Sequence, residues 1–96
     1  MNHRQSIATA IKTIRKIKGL TQDDFGVVSS RTYLSSLERG LKSPTFDKLD
    51  DIAKVLDTHP AVIVLFAYAL QQQPIEREAM IDEVSEVTRR LCASCC

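Results

Sequence analysis

The residues best suited to recognition chemistry lie in one short stretch, residues 29–40, which reads Ser-Ser-Arg-Thr-Tyr-Leu-Ser-Ser-Leu-Glu-Arg-Gly. Hydroxyl side chains at its start are suited to capping a helix, and the glycine at its end is suited to stopping one. Leu34 and Leu37 are three residues apart and can face a core, so the polar residues around them face outward. The outward-facing residues are Arg31, Thr32, Ser35 and Ser36. A helix with this surface is suited to hydrogen-bonding a partner.

Charge is distributed unevenly along the chain, although the net charge is only +1. Residues 1–20 carry Arg4, Lys12, Arg15, Lys16 and Lys18 and no acidic residue. Residues 61–96 are instead acidic overall. This polarity is compatible with one face on phosphate and another on a protein, and a solvated basic helix is equally compatible.

Composition limits the class of protein. The 96 residues are 44% hydrophobic and 26% charged, as expected for one ordinary globular domain. No apolar run reaches the roughly 18 residues of a membrane span, and the first residues lack the order of a signal peptide, so we expect a cytoplasmic protein. The sequence contains no Gly-rich phosphate loop, no His-rich cluster and no nucleophile motif. We therefore expect neither an enzyme nor a cofactor.

Apolar periodicity predicts an all-α protein with six helices and no strand. The first helix spans about 5–18, a short second one starts at Thr21, and the third spans 29–40. Thr45 caps a fourth, a fifth spans about 61–70 after Pro60, and a sixth about 75–92. The apolar stripe expected to bury the fourth helix consists of Phe46, Leu49, Ile52, Ala53 and Leu56.

The last two helices suggest an interaction element. Residues 61–70 are almost wholly apolar, so this helix should be buried on most sides, either by the core alone or by the core and a second subunit. The sixth helix carries apolar residues at spacings of four, three and four, which is typical of a seam between helices. It either covers the domain's own core or joins the fifth helix in a two-fold dimer. In the dimer interpretation, residues 1–72 form the binding domain, residues 73–96 form the dimerisation element, and the interface includes Val64, Phe66, Met80, Val84, Val87 and Leu91.

A longer set of features, from residue 15 to residue 65, occurs in a characteristic order. The set comprises Arg15, Gly19-Leu20-Thr21-Gln22, Phe25, Glu38-Arg39-Gly40, Ser43-Pro44 and the apolar helix after them. In this order and spacing the chain resembles the lambda-repressor-like DNA-binding domain of the Cro and Xre regulators. The resemblance implies a five-helix DNA-binding domain with an additional C-terminal helix. It also implies a helix-turn-helix in which residues 29–40 enter the major groove of DNA.

The resemblance also implies residue roles. Base contacts fall on Arg31, Thr32 and Ser36, with Ser35 as an additional candidate. Arg15 and Glu38 correspond to a buried ion pair. The implied phosphate contacts are Gln22, Ser30, Tyr33, Arg39, Lys42 and Ser43. Tyr33 suits the edge of the core equally well, and the other polar residues have simple solvation as their alternative.

One segment departs from the family pattern. The connection Gly26-Val27-Val28 is about two residues shorter than in the family. Val27 or Val28 must therefore pack into the core while the chain turns. The cap of the recognition helix is then either Ser29 or Ser30. The base-contact positions shift by one residue between these two alternatives.

The cysteines and histidines suggest no metal site. Cys92, Cys95 and Cys96 form Cys-x-x-Cys-Cys, but zinc usually needs four ligands and no second pair lies nearby. We expect free thiols, with a redox switch through intersubunit disulfides as the alternative. His59 before Pro60 should cap a helix or lie at the edge of the core.

These observations favour a homodimeric, sequence-specific transcription regulator, a repressor, that binds a palindromic operator in double-stranded DNA. An antitoxin with a toxin partner, or a restriction–modification controller, would use the same fold and the same chemistry. A helical adaptor that binds a regulatory protein through its fifth and sixth helices is an alternative of a different class.

Overall fold

The computed structural model describes residues 1–95, which form α-helices and 3₁₀ turns, with no strand among these residues. The helices are α1 (His3–Ile17), α2 (Arg31–Glu38), α3 (Phe46–Leu56), α4 (Pro60–Leu70) and α5 (Arg77–Cys95). The 3₁₀ turns are Gln22–Phe25 and Pro74–Glu76. The predicted all-α class is confirmed.

The first helix begins earlier than predicted because Asn2 caps it. The Asn2 side chain accepts a hydrogen bond from the Gln5 backbone N–H at 2.9 Å, and the Gln5 side chain accepts one from the Asn2 N–H at 3.0 Å. This reciprocal pair satisfies two N–H groups that the helix start would otherwise leave free. The helix ends at Ile17, and the chain turns away at Gly19, whose φ of 72° is left-handed and suits glycine. The observed range is therefore His3–Ile17 rather than 5–18.

The predicted second helix is a single 3₁₀ turn, Gln22–Phe25. Asp24 accepts a hydrogen bond from the Thr21 backbone N–H at 2.7 Å, which fixes its start. The short connection to α2 leaves no length for a full α-helix. Phe25 is buried in the core, Val28 packs at its edge and Val27 is exposed. Of the two valines, Val28 therefore makes the core contact.

A single core holds α2 in place. α1 packs along α4, and α2 packs against α1 and against the 3₁₀ turn that precedes it. Leu34 and Leu37 of α2 are fully buried, so the opposite face of this helix is available to a partner. The largest fully buried apolar side chains are Phe25, Ile11, Leu34, Leu37, Ile52, Leu56 and Ile63.

One expectation about burial was wrong. Phe46 is 84% exposed, because it is the first residue of α3 and lies outside the stripe that faces the core. Most residues of α4 are buried or half-buried within one chain, while Val62 and Tyr68 are exposed. None of the residues of α5, Arg77–Cys95, is buried. Met80 and Ile81 are half-buried beside α4, so α5 packs on α4 and leaves much of its own surface open. It also starts and ends later than the predicted 75–92.

Within residues 1–95 no single helix combines the length and apolar character needed to cross a membrane. α3 and α4 reach that length only together, and the chain bends by 100° between them.

Candidate nucleic-acid interface

The start of α2 is defined by one hydrogen bond. The Ser30 hydroxyl oxygen accepts from the Tyr33 backbone N–H at 3.0 Å, so Ser30 is the N-cap. The hydroxyl of Ser29 lies outside the helix, 3.4 Å from the Ser30 carbonyl oxygen. Arg31 and Thr32 are consequently the first residues of α2, where a helix entering the major groove presents its side chains to base edges.

Side chains of α2 and of the preceding 3₁₀ turn line a concavity of about 400 Å³. Its lining residues are Gln22, Arg31, Thr32, Ser35, Ser36 and Arg39. The structure thus brings together the four residues expected to contact bases and two of those expected to contact phosphates. Every one of these side chains can donate a hydrogen bond to an acceptor atom on a base or a phosphate.

An ion pair anchors the end of α2 to α1. Arg15 Nε and Glu38 Oε2 are 2.7 Å apart, and Arg15 Nη2 and Glu38 Oε1 are 2.9 Å apart. The side chains are only 11% and 3% exposed. Arg15 Nη1 also donates to the Leu20 carbonyl oxygen at 3.0 Å. The hydrogen bonds to the Glu38 carboxylate raise the pKa of Arg15, against the smaller opposing effect of burial. The two residues expected to pair therefore form a bidentate, largely desolvated contact.

Gln22 extends this contact to the concavity. Its side-chain N–H donates to Glu38 Oε1 at 3.1 Å. The amide keeps a second N–H and its carbonyl oxygen, and it lines the concavity. Glu38 thus holds α1, the end of α2 and Gln22 in one arrangement. This leaves Gln22 able to donate to a phosphate while its other N–H stays fixed.

Arg31 is held only loosely in the free protein. Its Nε lies 3.6 Å from Asp23 Oδ1, and both side chains are largely exposed. Exposed ion pairs of this kind contribute about 0–1 kcal/mol. Arg31 can therefore leave Asp23 for the edge of a base at little cost.

A second basic cluster lies beside the start of α2 and includes a residue that sequence reasoning missed. The Nζ atoms of Lys42 and Lys48 lie 5.4 Å and 5.3 Å from the ring centre of Tyr33. Lys48 Nζ also donates to the Val28 carbonyl oxygen at 2.7 Å. Partial burial raises the pKa of Tyr33, so its hydroxyl remains a neutral donor. Tyr33 packs at the edge of the core, as one of its two alternatives stated. The position of Lys48 in the first turn after the Ser43-Pro44 connector was the only sequence signal for it.

The remaining expected phosphate contacts lie around these two clusters. Arg39 lines the concavity at the end of α2, and Ser43 is exposed in the connector that follows. Ser30 uses its hydroxyl oxygen as the helix cap and keeps its O–H as a donor.

The apolar residues expected at a dimer interface divide between two depressions. A groove of about 590 Å³ is lined by Phe46, Ala61, Val64, Leu65, Tyr68, Met80 and Val84. Phe66 lies elsewhere, in a cavity of about 280 Å³ that Ile81 also lines. Val87 and Leu91 are exposed beyond the groove. The groove brings together Val64, Met80 and Val84.

His59 is a helix cap: its Nδ1 accepts from the Ala61 backbone N–H at 3.0 Å. Cys92 and Cys95 are free and exposed. Cys96, the third residue of the predicted thiol cluster, lies outside the described residues. Residues 1–95 contain no group of His, Cys, Asp and Glu side chains that could hold a metal ion.

An all-helical domain with a short turn before a polar recognition helix defines a helix-turn-helix protein, and comparison with known proteins agrees. The model of the helix-turn-helix family matches residues 11–63. An uncharacterised HTH-type transcriptional regulator of Sinorhizobium fredii, y4dJ, is 40% identical over 58 residues, which cover 58% of this chain and 75% of that protein.

Two crystal structures of the clp gene regulator ClgR from Corynebacterium glutamicum share the fold. One superposes with a TM-score of 0.69 at 26% identity, over 75% of this chain and 96% of that chain. The other has a TM-score of 0.68 at 24% identity, over 91% and 90% of the two chains. The chain belongs to the helix-turn-helix family and is a DNA-binding transcriptional regulator of the Cro/Xre type.

Proposed function

We propose that this regulator is a homodimeric, sequence-specific repressor that acts in the cytoplasm and reads the major groove of double-stranded DNA with α2. The observation that carries the proposal is the concavity in which Arg31, Thr32, Ser35 and Ser36 converge beside Gln22. Its lining is polar and built from donors, as binding to base edges and phosphates requires.

In this proposal, residues in the first turns of α2 contact the bases. Arg31 can bind guanine O6 and N7 with two hydrogen bonds, and the Thr32 methyl group can pack on a thymine methyl group. The hydroxyls of Ser35 and Ser36 either donate or accept. A good bidentate contact contributes about 1–3 kcal/mol of discrimination against a wrong base. Arg31 therefore carries most of the specificity in this proposal.

Phosphate contacts would set the position of α2 on the duplex. The proposed contacts are Gln22, Ser30, Tyr33, Arg39, Lys42 and Ser43. Ser30 lies at the start of α2, Gln22 and Arg39 line the concavity, and Lys42 and Ser43 follow the end of the helix, so donors are present at both ends of α2. Each basic contact should add about 0.9 to the slope of log affinity against log salt concentration.

The operator in this proposal is palindromic. A two-fold dimer places two copies of α2 in successive major grooves, with half-sites about 34 Å apart. The exposed apolar residues of α4 and α5 support a dimer because one chain leaves them uncovered. A dimer on such an operator blocks a promoter by occupying it, and this is the basis for proposing a repressor.

Selection of binding sites from random duplexes tests the proposal directly. We expect two inverted half-sites at that separation. Arg31→Ala should relax the preference at one base in each half-site. Lys42→Ala should weaken binding to all sequences alike and lower the salt slope by about 0.9. If both variants lose affinity equally on every sequence, the assignment of Arg31 to base reading is wrong.

The apolar groove of about 590 Å³ favours a second candidate, a regulator or adaptor whose partner is another protein, such as a toxin. An antitoxin would still bind duplex DNA with selectivity and would co-purify with its toxin. A pure adaptor would show no salt-dependent, sequence-selective binding of duplex DNA. A restriction–modification controller would bind DNA in the same way as the repressor and would differ in its target promoter.

A further inference from the structure

One face of α5 carries an apolar stripe that the rest of residues 1–95 covers only in part: Met80 is half-buried, whereas Val84 and Val87 are exposed. Leu91, near its end, is 65% exposed. The stripe continues into the apolar groove, whose lining includes its first two members. Contiguous apolar surface of this kind on a globular protein marks an interaction site. We call the stripe the α5 seam, and its members are Met80, Val84, Val87 and Leu91.

Charged residues beside the α5 seam distinguish between the two ways in which identical helices can pair. Glu83 and Arg90 each precede a seam residue and are seven residues apart, so they lie on the same flank. In a parallel pair, Glu83 would face Thr88 of the partner subunit, an uncharged residue. In an antiparallel pair with the seams aligned, Glu83 faces Arg90 of the partner subunit. Charge complementarity therefore selects the antiparallel pair.

We propose that α5 pairs with α5 of a second copy in antiparallel orientation and in a single register. Met80 packs on Leu91 of the partner subunit, and Val84 packs on Val87 of the partner subunit. Two-fold symmetry repeats both contacts, and it forms the Glu83–Arg90 ion pair twice. The inference rests on the homodimer of the proposed function and adds the direction and register of its helices.

The groove fits this register. Met80 and Val84 line the groove from α5, and Phe46 and Tyr68 also line it. Phe46 is largely exposed and Tyr68 is half-exposed, so both are open to a partner. In the antiparallel register, Leu91 of the partner subunit comes opposite Met80 and enters the groove. The groove volume of about 590 Å³ is large enough for several aliphatic side chains.

Arg90 is free to change partners when the helices pair. In the single chain its Nη2 lies 3.0 Å from Glu86 Oε1, one turn earlier in α5, and both side chains are exposed. Pairs at this spacing on a helix surface are weak. When the helices pair, Arg90 can therefore leave Glu86 for Glu83 of the partner subunit at little cost in free energy. The new ion pair lies beside the interface, where it is partly shielded from water.

The register also predicts whether the cysteines can form a disulfide between the two copies. The two-fold axis passes near Ser85 and Glu86, so the Cys95 residues of the two copies lie about 28 Å apart at a rise of about 1.5 Å per residue. A disulfide between the two copies of Cys95 cannot form at this distance. The thiols of Cys92 and Cys95 should stay free in the dimer.

Charge reversal tests the register. Glu83→Arg and Arg90→Glu should each raise the dissociation constant of the dimer about tenfold at low salt, because each variant places two pairs of like charges side by side. The double variant Glu83→Arg/Arg90→Glu should restore the wild-type constant. Arg89→Glu makes the same charge change away from the seam and should leave the constant unchanged. Sedimentation equilibrium measures all four, and circular dichroism checks that each variant is folded.

Cross-linking gives a second readout in a background of Cys92→Ser, Cys95→Ser and Cys96→Ser. A mixture of Glu83→Cys and Arg90→Cys proteins should form a disulfide-linked dimer under mild oxidation. Leu91→Cys alone should not, since its two copies lie far apart in the antiparallel pair. A parallel pair would give the opposite result.

The experimental outcomes test the antiparallel register separately from the existence of the dimer. Cross-linking of Leu91→Cys, or a folded double charge variant that fails to dimerise, overturns the antiparallel register while the dimer stands. A wild-type protein that is monomeric at tens of micromolar overturns both the register and the dimer of the proposed function. Restored dimerisation together with the Glu83–Arg90 cross-link supports the proposed register.

Discussion

Replacing Glu38 by alanine should destabilise the whole domain as well as weaken DNA binding. The carboxylate accepts hydrogen bonds from Arg15 and from Gln22, at distances of 2.7 to 3.1 Å. It is almost fully buried, with 3% of the side chain exposed. Its removal leaves the Arg15 guanidinium desolvated and without a counter-charge, with the Leu20 carbonyl oxygen as its only hydrogen-bond acceptor among the described residues.

The expected loss of unfolding free energy follows from this geometry. Breaking a buried ion pair by removing one partner costs about 3–5 kcal/mol. Since Arg15 keeps 11% of its side chain exposed and retains one backbone acceptor, we expect the lower end, about 3 kcal/mol. For a domain of this size each kcal/mol lowers Tm by roughly 4–8 °C. Glu38→Ala should therefore lower Tm by roughly 12–24 °C.

Thermal unfolding followed by circular dichroism measures this effect, and duplex titration at a temperature where the variant is folded measures affinity. Glu86→Ala, which removes an exposed carboxylate on α5, serves as the matched control and should shift Tm by little. Removing both charges with Arg15→Met/Glu38→Leu should recover part of the stability, because no unpaired buried charge remains. An unchanged Tm in Glu38→Ala would refute the structural role of the ion pair.

Two further predictions concern the start of α2. Ser30→Ala should cost about 1 kcal/mol of stability through loss of the N-cap, whereas Ser29→Ala should cost almost nothing; equal losses in chemical denaturation would show that the cap is misassigned. Lys48→Met should lower the slope of log affinity against log salt by about 0.9 if Lys48 binds a phosphate beside Tyr33, while Lys54→Met, on the same helix, should leave the slope unchanged. An unaltered slope with lower stability would mean that Lys48 only ties α3 to the Val28 carbonyl oxygen.

Local signals in the sequence were sufficient for most helix positions. Thr45 caps α3 and Pro60 begins α4 because capping and proline geometry depend on a few neighbouring residues. The turn that follows α2 is equally local, since the φ of 75° at Gly40 favours glycine. The choice between Ser29 and Ser30 was not local. It depended on how much chain the turn after Phe25 consumes.

Burial and long-range pairing were decided only by the tertiary structure. Phe46 belongs to an apolar helical pattern, yet the packing of α3 leaves it outside the core. The apolar pattern of α5 likewise could not tell a core face from an open one. Apolar periodicity identifies which side of a helix avoids water, but what covers that side depends on elements that are distant in sequence.

The Arg15–Glu38 ion pair at the C-terminal end of α2 shows the same difference between what the sequence and the tertiary structure determine. The sequence supplied Arg15 and Glu38, and only a family resemblance linked them across the intervening residues. The structure places them 2.7 Å apart because α1 and α2 pack on a common core, and it adds Gln22 to the same carboxylate. The sequence by itself predicted the helical class and the polar face of α2, and its resemblance to a known family predicted the helix-turn-helix. The tertiary structure decided how that face is held, because side chains far apart in the chain meet only after the core has formed.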